Sequence, residues 1–178
     1  MKRLIPILLT AVLAACTSES LKTTFAQQET WIENYVTSKK NANADARVET
    51  NGGSTRLVLV EGEGDELSPT GTVSFYYAGY VVKSASFENN SNLFATNREA
   101  LASSWKLTSE DAFAVKTVDL ASTDLVEGLK NGLPGVRGGE ECVILFSGKH
   151  GFGKKLYGTI PANSAVAYHI WVESVQNE

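Results

Sequence analysis

The fold of this chain is decided by residues 125–175, which open with Leu125-Val-Glu-Gly-Leu-Lys-Asn-Gly-Leu133 and continue into the apolar run Cys142-Val-Ile-Leu-Phe146. A glycine-rich loop follows, His150-Gly-Phe-Gly-Lys-Lys-Leu-Tyr-Gly158, and then the alternating run Val166-Ala-Tyr-His-Ile-Trp-Val172. These patterns predict a short helix and two β-strands separated by a long loop. Apolar and aromatic residues predominate, and no nucleophile or metal-ligand motif stands among them. The stretch is typical of the walls of a pocket.

The longest β signal in the chain lies upstream, at Thr72–Val82. Alternation with a period of two places Val73, Phe75, Tyr77 and Gly79 on one face of this predicted strand. The strand therefore presents Phe75 and Tyr77 to the same side of a sheet.

Weaker signals complete the pattern. The turn sequence Asn51-Gly52-Gly53 before the apolar run Leu57–Val60 predicts a hairpin. Residues 83–97 are predicted to be a polar loop, residues 98–109 a short helix, and residues 112–120 another strand. Several strands with one short late helix predict an α+β fold, in which an antiparallel sheet packs on that helix.

The first fifteen residues have the features of a bacterial export signal. Met1-Lys2-Arg3 is a charged start, and Leu4–Leu13 is an apolar run too short to span a bilayer as a stable helix. Leu13-Ala-Ala-Cys16 resembles the lipoprotein box, in which the cysteine is acylated and becomes the first residue of the mature chain. The resemblance implies a lipid anchor at Cys16 on the extracytoplasmic side of a bacterial membrane. The alternative is an ordinary secretion signal with a chance cysteine.

Residues 16–45 are predicted to form a polar tether and one helix. Thr24 and Gln27 have the spacing of a capping box, and an apolar stripe extends over Leu21–Lys40. The stripe consists of Leu21, Phe25, Ile32, Tyr35 and Val36. It is predicted to pack on the domain of the same chain or, alternatively, on a partner. Residues 46–178 contain no internal repeat or long linker and are predicted to form one domain.

Composition and charge argue against several classes of function. The chain of 178 residues has a net charge of −4 and no run of Lys and Arg, which speaks against a nucleic-acid partner. The acidic stretch Glu61–Glu66 lacks the ligand spacing of a calcium loop and is predicted to be a solvated turn, so we expect no metal and no cofactor. With Cys16 acylated, Cys142 has no partner for a disulfide, and its apolar neighbours predict a small buried residue.

Two histidines and one tryptophan in the last third of the chain call for separate interpretation. His150 and His169 are not accompanied by the motifs of a catalytic triad and are predicted to be ordinary surface or loop residues. Trp171 lies on the strand face opposite Tyr168. We expect it to contact the N-terminal helix, because both apolar surfaces lack another partner.

Residues 55–176 resemble the FKBP-type peptidyl-prolyl cis-trans isomerase domain, in the form of bacterial lipoproteins with an N-terminal helix. Four features carry the resemblance, in the family's order: the strand with Tyr77-Ala78-Gly79, the helix segment 125–133, the segment 139–146, and the closing pattern of Phe152-Gly153, Ile160-Pro161 and the strand 166–172. The resemblance implies a curved antiparallel sheet wrapped around one short helix, with an aromatic pocket between them.

The resemblance also implies which residues line the pocket and what binds there. The implied lining is Tyr77, Phe94, Leu125, Val126, Leu129, Phe152, Ile160 and Tyr168. Phe113 or Val115 is the candidate for one further wall. The implied ligand is a proline-containing segment of a polypeptide. Its isomerisation needs no cofactor and no side chain acting as an acid, a base or a nucleophile.

Three positions depart from the family pattern. Ala95 stands where the family has Asp, Leu129 where it has Trp, and Phe152 where it has a Tyr whose hydroxyl binds the substrate carbonyl. The loss of one donor to a buried carbonyl costs about 1–3 kcal/mol. The predicted function is therefore a weakly active prolyl isomerase or folding helper for envelope or secreted proteins. The alternative is a non-catalytic module that holds a protein partner.

Overall fold

The computed structural model describes residues 8–102 and 110–177, with side chains for residues 19–102 and 111–177. Two α-helices and seven β-strands occur in this part of the chain. In chain order they are α1 (Leu8–Ala42), β1 (Arg47–Asn51), β2 (Ser54–Val60), β3 (Thr72–Val82), β4 (Leu93–Thr96), β5 (Lys116–Asp119), α2 (Glu127–Gly132), β6 (Glu141–Phe146) and β7 (Ala165–Gln176). Short 3-10 helices lie at Glu99–Leu101, Glu110–Phe113 and Gly148–His150.

The strands form one antiparallel sheet with the order β1-β2-β6-β7-β3-β4. The central strand β3 has the bounds predicted from its alternation, Thr72–Val82. It pairs with β7 along one edge, from Thr72 opposite Gln176 to Val82 opposite Ala165. Its other edge pairs with β5 near the start of the strand and with β4 near the end. The predicted α+β class is confirmed.

The β1–β2 hairpin is also confirmed. Asn51 pairs with Ser54, which leaves Gly52 and Gly53 as the two turn residues. Their φ angles are 54° and 85°. Two consecutive positive φ values give a turn whose twist matches that of the flanking strands, and glycine adopts them without the steric cost of a Cβ.

Helix α2 packs on one face of the sheet. Leu129 and Leu133 belong to the apolar cluster on this face, together with residues of β3, β6 and β7. The helix lies so close to β6 that a Cβ on Gly128 would stand 2.1 Å from the ring of Phe146. The Ser54 hydroxyl donates to the Gly128 carbonyl at 2.6 Å, which ties the start of the helix to β2. The absence of a side chain at Gly128 and the hydrogen bond from Ser54 together fix the position of α2.

Helix α1 covers the opposite face of the sheet, as predicted for its apolar stripe. Ile32 and Tyr35 are buried there in a second cluster with residues of β2, β3, β6 and β7. The ring of Tyr35 lies 4.6 Å from the ring of Phe87, measured between centroids. The helix therefore completes a three-layer arrangement of α1, sheet and α2.

The predicted start of this helix is wrong. The described part of α1 is already helical at Leu8, well before Leu21, because the leucines and alanines between Leu8 and Cys16 are strong helix formers without an interrupting proline. Thr24 lies inside the helix and donates its hydroxyl to the Ser20 carbonyl at 2.9 Å, so it does not cap an N-terminus. Among the described residues, no helix is long and apolar enough to cross a membrane.

Three further local predictions need correction. Part of the predicted polar loop 83–97 is strand β4, because Leu93–Thr96 pairs with the end of β3. Of the predicted helix 98–109, only the turn Glu99–Leu101 is helical, and residues 103–109 lie outside the described residues. Strand β5 is shorter than the predicted 112–120, because a 3-10 turn ends at Phe113.

His169 and Trp171 lie on the α1 side of β7. The Nδ1 and Nε2 atoms of His169 lie 3.1 Å and 2.8 Å from carboxylate oxygens of Glu88 and Glu141. His169 is thus a partly buried strand residue and not the predicted surface or loop histidine. Trp171 packs against the α1-side cluster, where its ring stacks on His169 at 4.1 Å and lies 4.2 Å from the guanidinium carbon of Arg98.

Candidate functional site

An apolar cavity of about 340 Å³ opens on the α2 side of the sheet. It is bounded by β3, β4, β5 and β7, by α2 and by the loop between β6 and β7. Seven of the eight residues implied by the resemblance line this cavity: Tyr77, Phe94, Leu125, Leu129, Phe152, Ile160 and Tyr168. Elements that are far apart in the sequence therefore bring these seven side chains together.

Val126 is the eighth implied residue, and it lies next to the cavity rather than in its wall. It lines an adjoining depression of about 500 Å³, which shares Leu125, Leu129, Phe152 and Tyr168 with the main cavity. Val126 precedes the first residue of α2, and its carbonyl accepts the Lys130 N–H at 3.0 Å. The backbone of Val126 is thus fixed by the start of the helix.

Tyr168 is at the centre of the aromatic packing. Its ring centroid lies 5.7 Å from that of Phe94, with the rings perpendicular, and 6.1 Å from that of Tyr77. The ring of Phe146 stacks beside it at 6.2 Å. Such offset and perpendicular pairs are the favoured arrangements of aromatic rings. These contacts hold the Tyr168 ring between β3, β4 and β6.

The loop between β6 and β7 forms the opposite side of the cavity. The ring of Phe152 stacks on that of Tyr157 at 4.6 Å and meets the edge of Phe94 at 6.4 Å. Tyr157 and Ile160 exchange two backbone hydrogen bonds of 3.0 and 2.9 Å, which fold the loop into a tight turn. Ile160 is buried by this turn, whereas Tyr157 is 61% exposed and stands at the rim.

Asn97 holds the β3 wall to its neighbours, and nothing in the sequence marked it. Its amide oxygen accepts the Tyr77 N–H at 2.7 Å, and its amide nitrogen donates to the carbonyls of Phe75 and Ala114. Asn97 is 6% exposed. A buried amide with three backbone partners is a structural residue, because an unpaired buried amide would be costly.

The sequence also left other parts of the lining unidentified. The lining residues that were not identified include Phe75, Lys116, Val118 and Tyr157. The further wall expected from Phe113 or Val115 is instead made by Val118, because β5 begins only at Lys116 and turns alternate residues inward. Period-two alternation placed Phe75 beside Tyr77, which was the available signal for that residue.

The chemistry of the cavity is that of an apolar binding site. Lys116 is the one charged residue in the described lining. Burial raises the pKa of Tyr77, and burial followed by the neighbouring Tyr77 and Tyr157 raises the pKa of Tyr168. Both hydroxyls therefore stay protonated. Ala95, Leu129 and Phe152, the three positions that depart from the family pattern, all lie in the lining and offer no polar side-chain group.

No protein-family model and no curated protein matches the sequence. Solved structures do match it in fold. A peptidyl-prolyl cis-trans isomerase from Pseudomonas syringae aligns with a TM-score of 0.57 at 14% identity, over 88% of this chain and 96% of that one. FkpA from Escherichia coli aligns with a TM-score of 0.56 at 19% identity, over 94% of this chain and 70% of that one.

A multi-domain immunophilin from Arabidopsis thaliana also aligns, with a TM-score of 0.57 at 15% identity. The match covers 75% of this chain and 46% of that one, so the chain spans about half the length of the immunophilin. At these identities the likeness concerns the fold. The chain has the fold of FKBP-type peptidyl-prolyl isomerase domains.

Proposed function

We propose that the cavity binds proline-containing segments of polypeptides and that the protein is a slow peptidyl-prolyl isomerase, acting as a folding helper. The observation that carries this proposal is the convergence of seven implied pocket residues around one cavity of about 340 Å³. A volume of this size lies in the range of small-molecule sites and has room for a proline ring and part of its neighbour. The apolar lining suits a ring without hydrogen-bond donors.

The chemistry requires little beyond an apolar, water-poor site. Rotation about an X–Pro bond is opposed by amide resonance, with a barrier of about 18–20 kcal/mol. Resonance separates charge between oxygen and nitrogen, and this separation is smaller in the twisted transition state. A site that excludes water from the amide therefore favours the transition state over the ground state. Each tenfold acceleration requires about 1.4 kcal/mol.

A second function is supported by the three altered lining positions. Compared with the family pattern, the cavity lacks polar and aromatic groups at three positions, which are Ala95, Leu129 and Phe152. The absent Tyr hydroxyl at position 152 alone is worth about 1–3 kcal/mol, or about 5- to 150-fold in rate. The second candidate is accordingly a domain that binds prolyl segments of a protein partner without turnover.

An exchange experiment separates the two functions. The cis–trans exchange rate of a Leu-Pro tetrapeptide is measured by NMR with and without the purified full chain at micromolar concentration, and binding is followed by the protein's own resonances. Binding with accelerated exchange supports the isomerase, and binding without acceleration supports the binding module. If the peptide neither binds nor exchanges faster, both candidates are wrong.

A double substitution tests why the activity is low. Phe152→Tyr with Ala95→Asp restores two groups of the family pattern, and we expect about a tenfold higher exchange rate because one donor to a buried carbonyl is regained. Phe113→Tyr, in a residue outside the cavity lining, is the matched control. An unchanged rate in the double variant would mean that the pocket residues are assigned to the wrong roles.

The second part of the proposal concerns location. The lipoprotein-box resemblance at Leu13–Cys16 supports acylation of Cys16 and attachment to the extracytoplasmic side of a bacterial membrane. Two or more acyl chains give stable attachment. Cells expressing the chain are labelled with a palmitate analogue, and label is expected in the wild-type chain and absent from Cys16→Ser. Equal labelling of both would refute the anchor.

A further inference from the structure

The hydroxyl of Tyr168 is, with that of Tyr77, one of two polar side-chain groups in the described wall formed by β3, β4 and β7. Tyr168 is 8% exposed and lines both the main cavity and the adjoining depression. Three aromatic rings surround it, those of Tyr77, Phe94 and Phe146. The ring is therefore held in one position where the two depressions meet.

No hydrogen bond joins the Tyr168 hydroxyl to another residue in the part of the chain that the structure describes. The hydroxyl oxygen is not sealed off by the protein, and it reaches the surface of the cavity, where a bound ligand can contact it. Phenylalanine would fill the same space and make the same ring contacts, but it would offer the ligand no hydrogen bond. The hydroxyl is therefore a free donor that faces a binding cavity.

We propose that Tyr168 donates a hydrogen bond to a carbonyl oxygen of the bound prolyl segment. It thereby takes over the role that Phe152, which has no hydroxyl, cannot fill. The inference rests on the proposed function and adds a binding residue on β7 in place of one on the loop.

The protonation state and the surroundings of the Tyr168 hydroxyl suit a hydrogen-bond donor. Burial, and then the nearby Tyr77 and Tyr157, raise the pKa of Tyr168, so the proton is retained at neutral and mildly alkaline pH. A hydrogen bond is stronger where water is excluded, because the local dielectric is low. Tyr157 is 61% exposed, so water competes for its hydroxyl. Tyr77 lines the main cavity but not the adjoining depression, and is less enclosed than Tyr168.

The test is Tyr168→Phe in the full chain, with affinity for a Leu-Pro tetrapeptide measured by NMR titration and the exchange rate measured alongside. We expect about 5- to 20-fold weaker binding, as for the loss of one buried donor. We also expect an unchanged melting temperature, because the ring contacts are kept and no hydrogen bond within the protein is lost. The matched control is Tyr76→Phe, a β3 tyrosine on the other face of the sheet, with unchanged affinity.

A rescue variant makes the assignment specific. Phe152→Tyr added to Tyr168→Phe returns a donor to the cavity from the loop, and we expect most of the affinity to return. A purely structural role for Tyr168 predicts a lower melting temperature and no rescue. If the wild type binds the peptide and Tyr168→Phe binds it equally well, this inference is wrong and the proposed function stands. If the wild type does not bind, the proposed function is wrong and the inference falls with it.

A spectroscopic measurement covers the case in which Tyr168→Phe does not fold. In the wild-type chain with ¹³C at the tyrosine Cζ atoms, a new hydrogen bond at the hydroxyl is expected to shift the Tyr168 resonance when the peptide is added. The Tyr76 resonance serves as the internal reference and is expected to stay in place. Peptide binding that leaves the Tyr168 resonance unmoved would overturn the inference.

Discussion

Gly79 lies on β3 directly against the ring of Phe94. A Cβ at this position would stand 2.5 Å from the Phe94 Cζ atom, which is closer than real contacts allow. The ring is half-buried at the cavity, so it has space into which it can move. The glycine of the Tyr77-Ala78-Gly79 sequence thus sets the position of an aromatic ring in the cavity wall.

We predict that Gly79→Ala weakens binding of a Leu-Pro tetrapeptide by about tenfold, because Phe94 is pushed into the cavity. We expect a loss of about 1 kcal/mol in the free energy of unfolding, near the lower end for overpacking. Peptide titration and urea unfolding of the same variant measure the two effects. A variant with full affinity would show that the position of Phe94 does not matter for binding.

Gly128→Ala is the contrasting substitution. Its Cβ would stand 2.1 Å from the ring of Phe146, which is fully buried and has no space into which it can move. Here the strain falls on the contact between α2 and β6, and we expect about 1–3 kcal/mol lower stability. A stability loss no greater than that of Gly79→Ala would contradict the difference in packing between the two sites.

At the scale of elements, α1 is joined to the loop that borders the cavity. Gln28 is 5% exposed, and its amide oxygen accepts the Gly148 N–H at 2.8 Å. Its amide nitrogen donates to the Asn163 carbonyl, also at 2.8 Å. Gly148 and Asn163 stand at the two ends of the loop that carries Phe152 and Ile160. One side chain of the helix therefore connects both ends of that loop.

We predict that Gln28→Ala lowers the free energy of unfolding by about 1–3 kcal/mol, because two buried backbone groups lose their partner. Hydrogen exchange of the loop amides is expected to accelerate. Gln27→Ala is the matched control on the exposed side of the helix, with an expected change within about 0.5 kcal/mol. Equal effects of the two substitutions would show that the bridge contributes nothing to stability.

The sequence predicted elements well where local pattern and tertiary pairing agree. Strand β3 was predicted with its observed bounds, β6 within one residue and α2 within two. Strand β4 was not predicted. Its four residues carry little pattern of their own, and they are a strand because they pair with β3 and cover Gly79.

In the candidate site, too, residues that carry a local pattern were predicted and residues defined by long-range contacts were not. The aromatic and aliphatic lining residues carried a family pattern, and seven of eight lie around one cavity. Gln28 and Asn97, which fix the loop and the β3 wall, were not predicted because their partners are backbone groups far away in the sequence. Polar residues with long-range backbone partners have no periodicity. The unpartnered state of the Tyr168 hydroxyl likewise depends on its three-dimensional surroundings.

At the scale of the whole molecule, a cluster of charges joins α1 to the sheet. Glu88 lies in the connection between β3 and β4, and it binds Lys39 of α1 at 2.6 Å and His169 of β7 at 3.1 Å. His169 also binds Glu141 of β6. The side chain of Glu88 is 23% exposed, so water screens these contacts only in part. The Glu88 carboxylate therefore joins α1 to β7, and His169 extends the cluster to β6.

This cluster makes the stability of the fold depend on pH. Burial acts to raise the pKa of Glu88, but hydrogen bonds from His169 and Lys39 outweigh it and lower the pKa from 4.5 to about 2. Because the folded state binds its proton at lower pH than the unfolded state, the stabilisation is complete above about pH 4.5. It is lost as the pH falls from about 4.5 to about 2. The shift corresponds to about 3 kcal/mol at neutral pH.

We predict that Glu88→Gln lowers the free energy of unfolding by about this amount at neutral pH and makes the acid limb of the stability curve shallower. The amide cannot titrate, so the variant and the wild type should converge towards about pH 2. Urea unfolding at several pH values measures both curves. Glu33→Gln, on the exposed side of α1, is the matched control and should keep the wild-type slope. If Glu88→Gln also keeps that slope, some other carboxylate carries the acid sensitivity, and the Glu88 cluster holds α1 by packing alone.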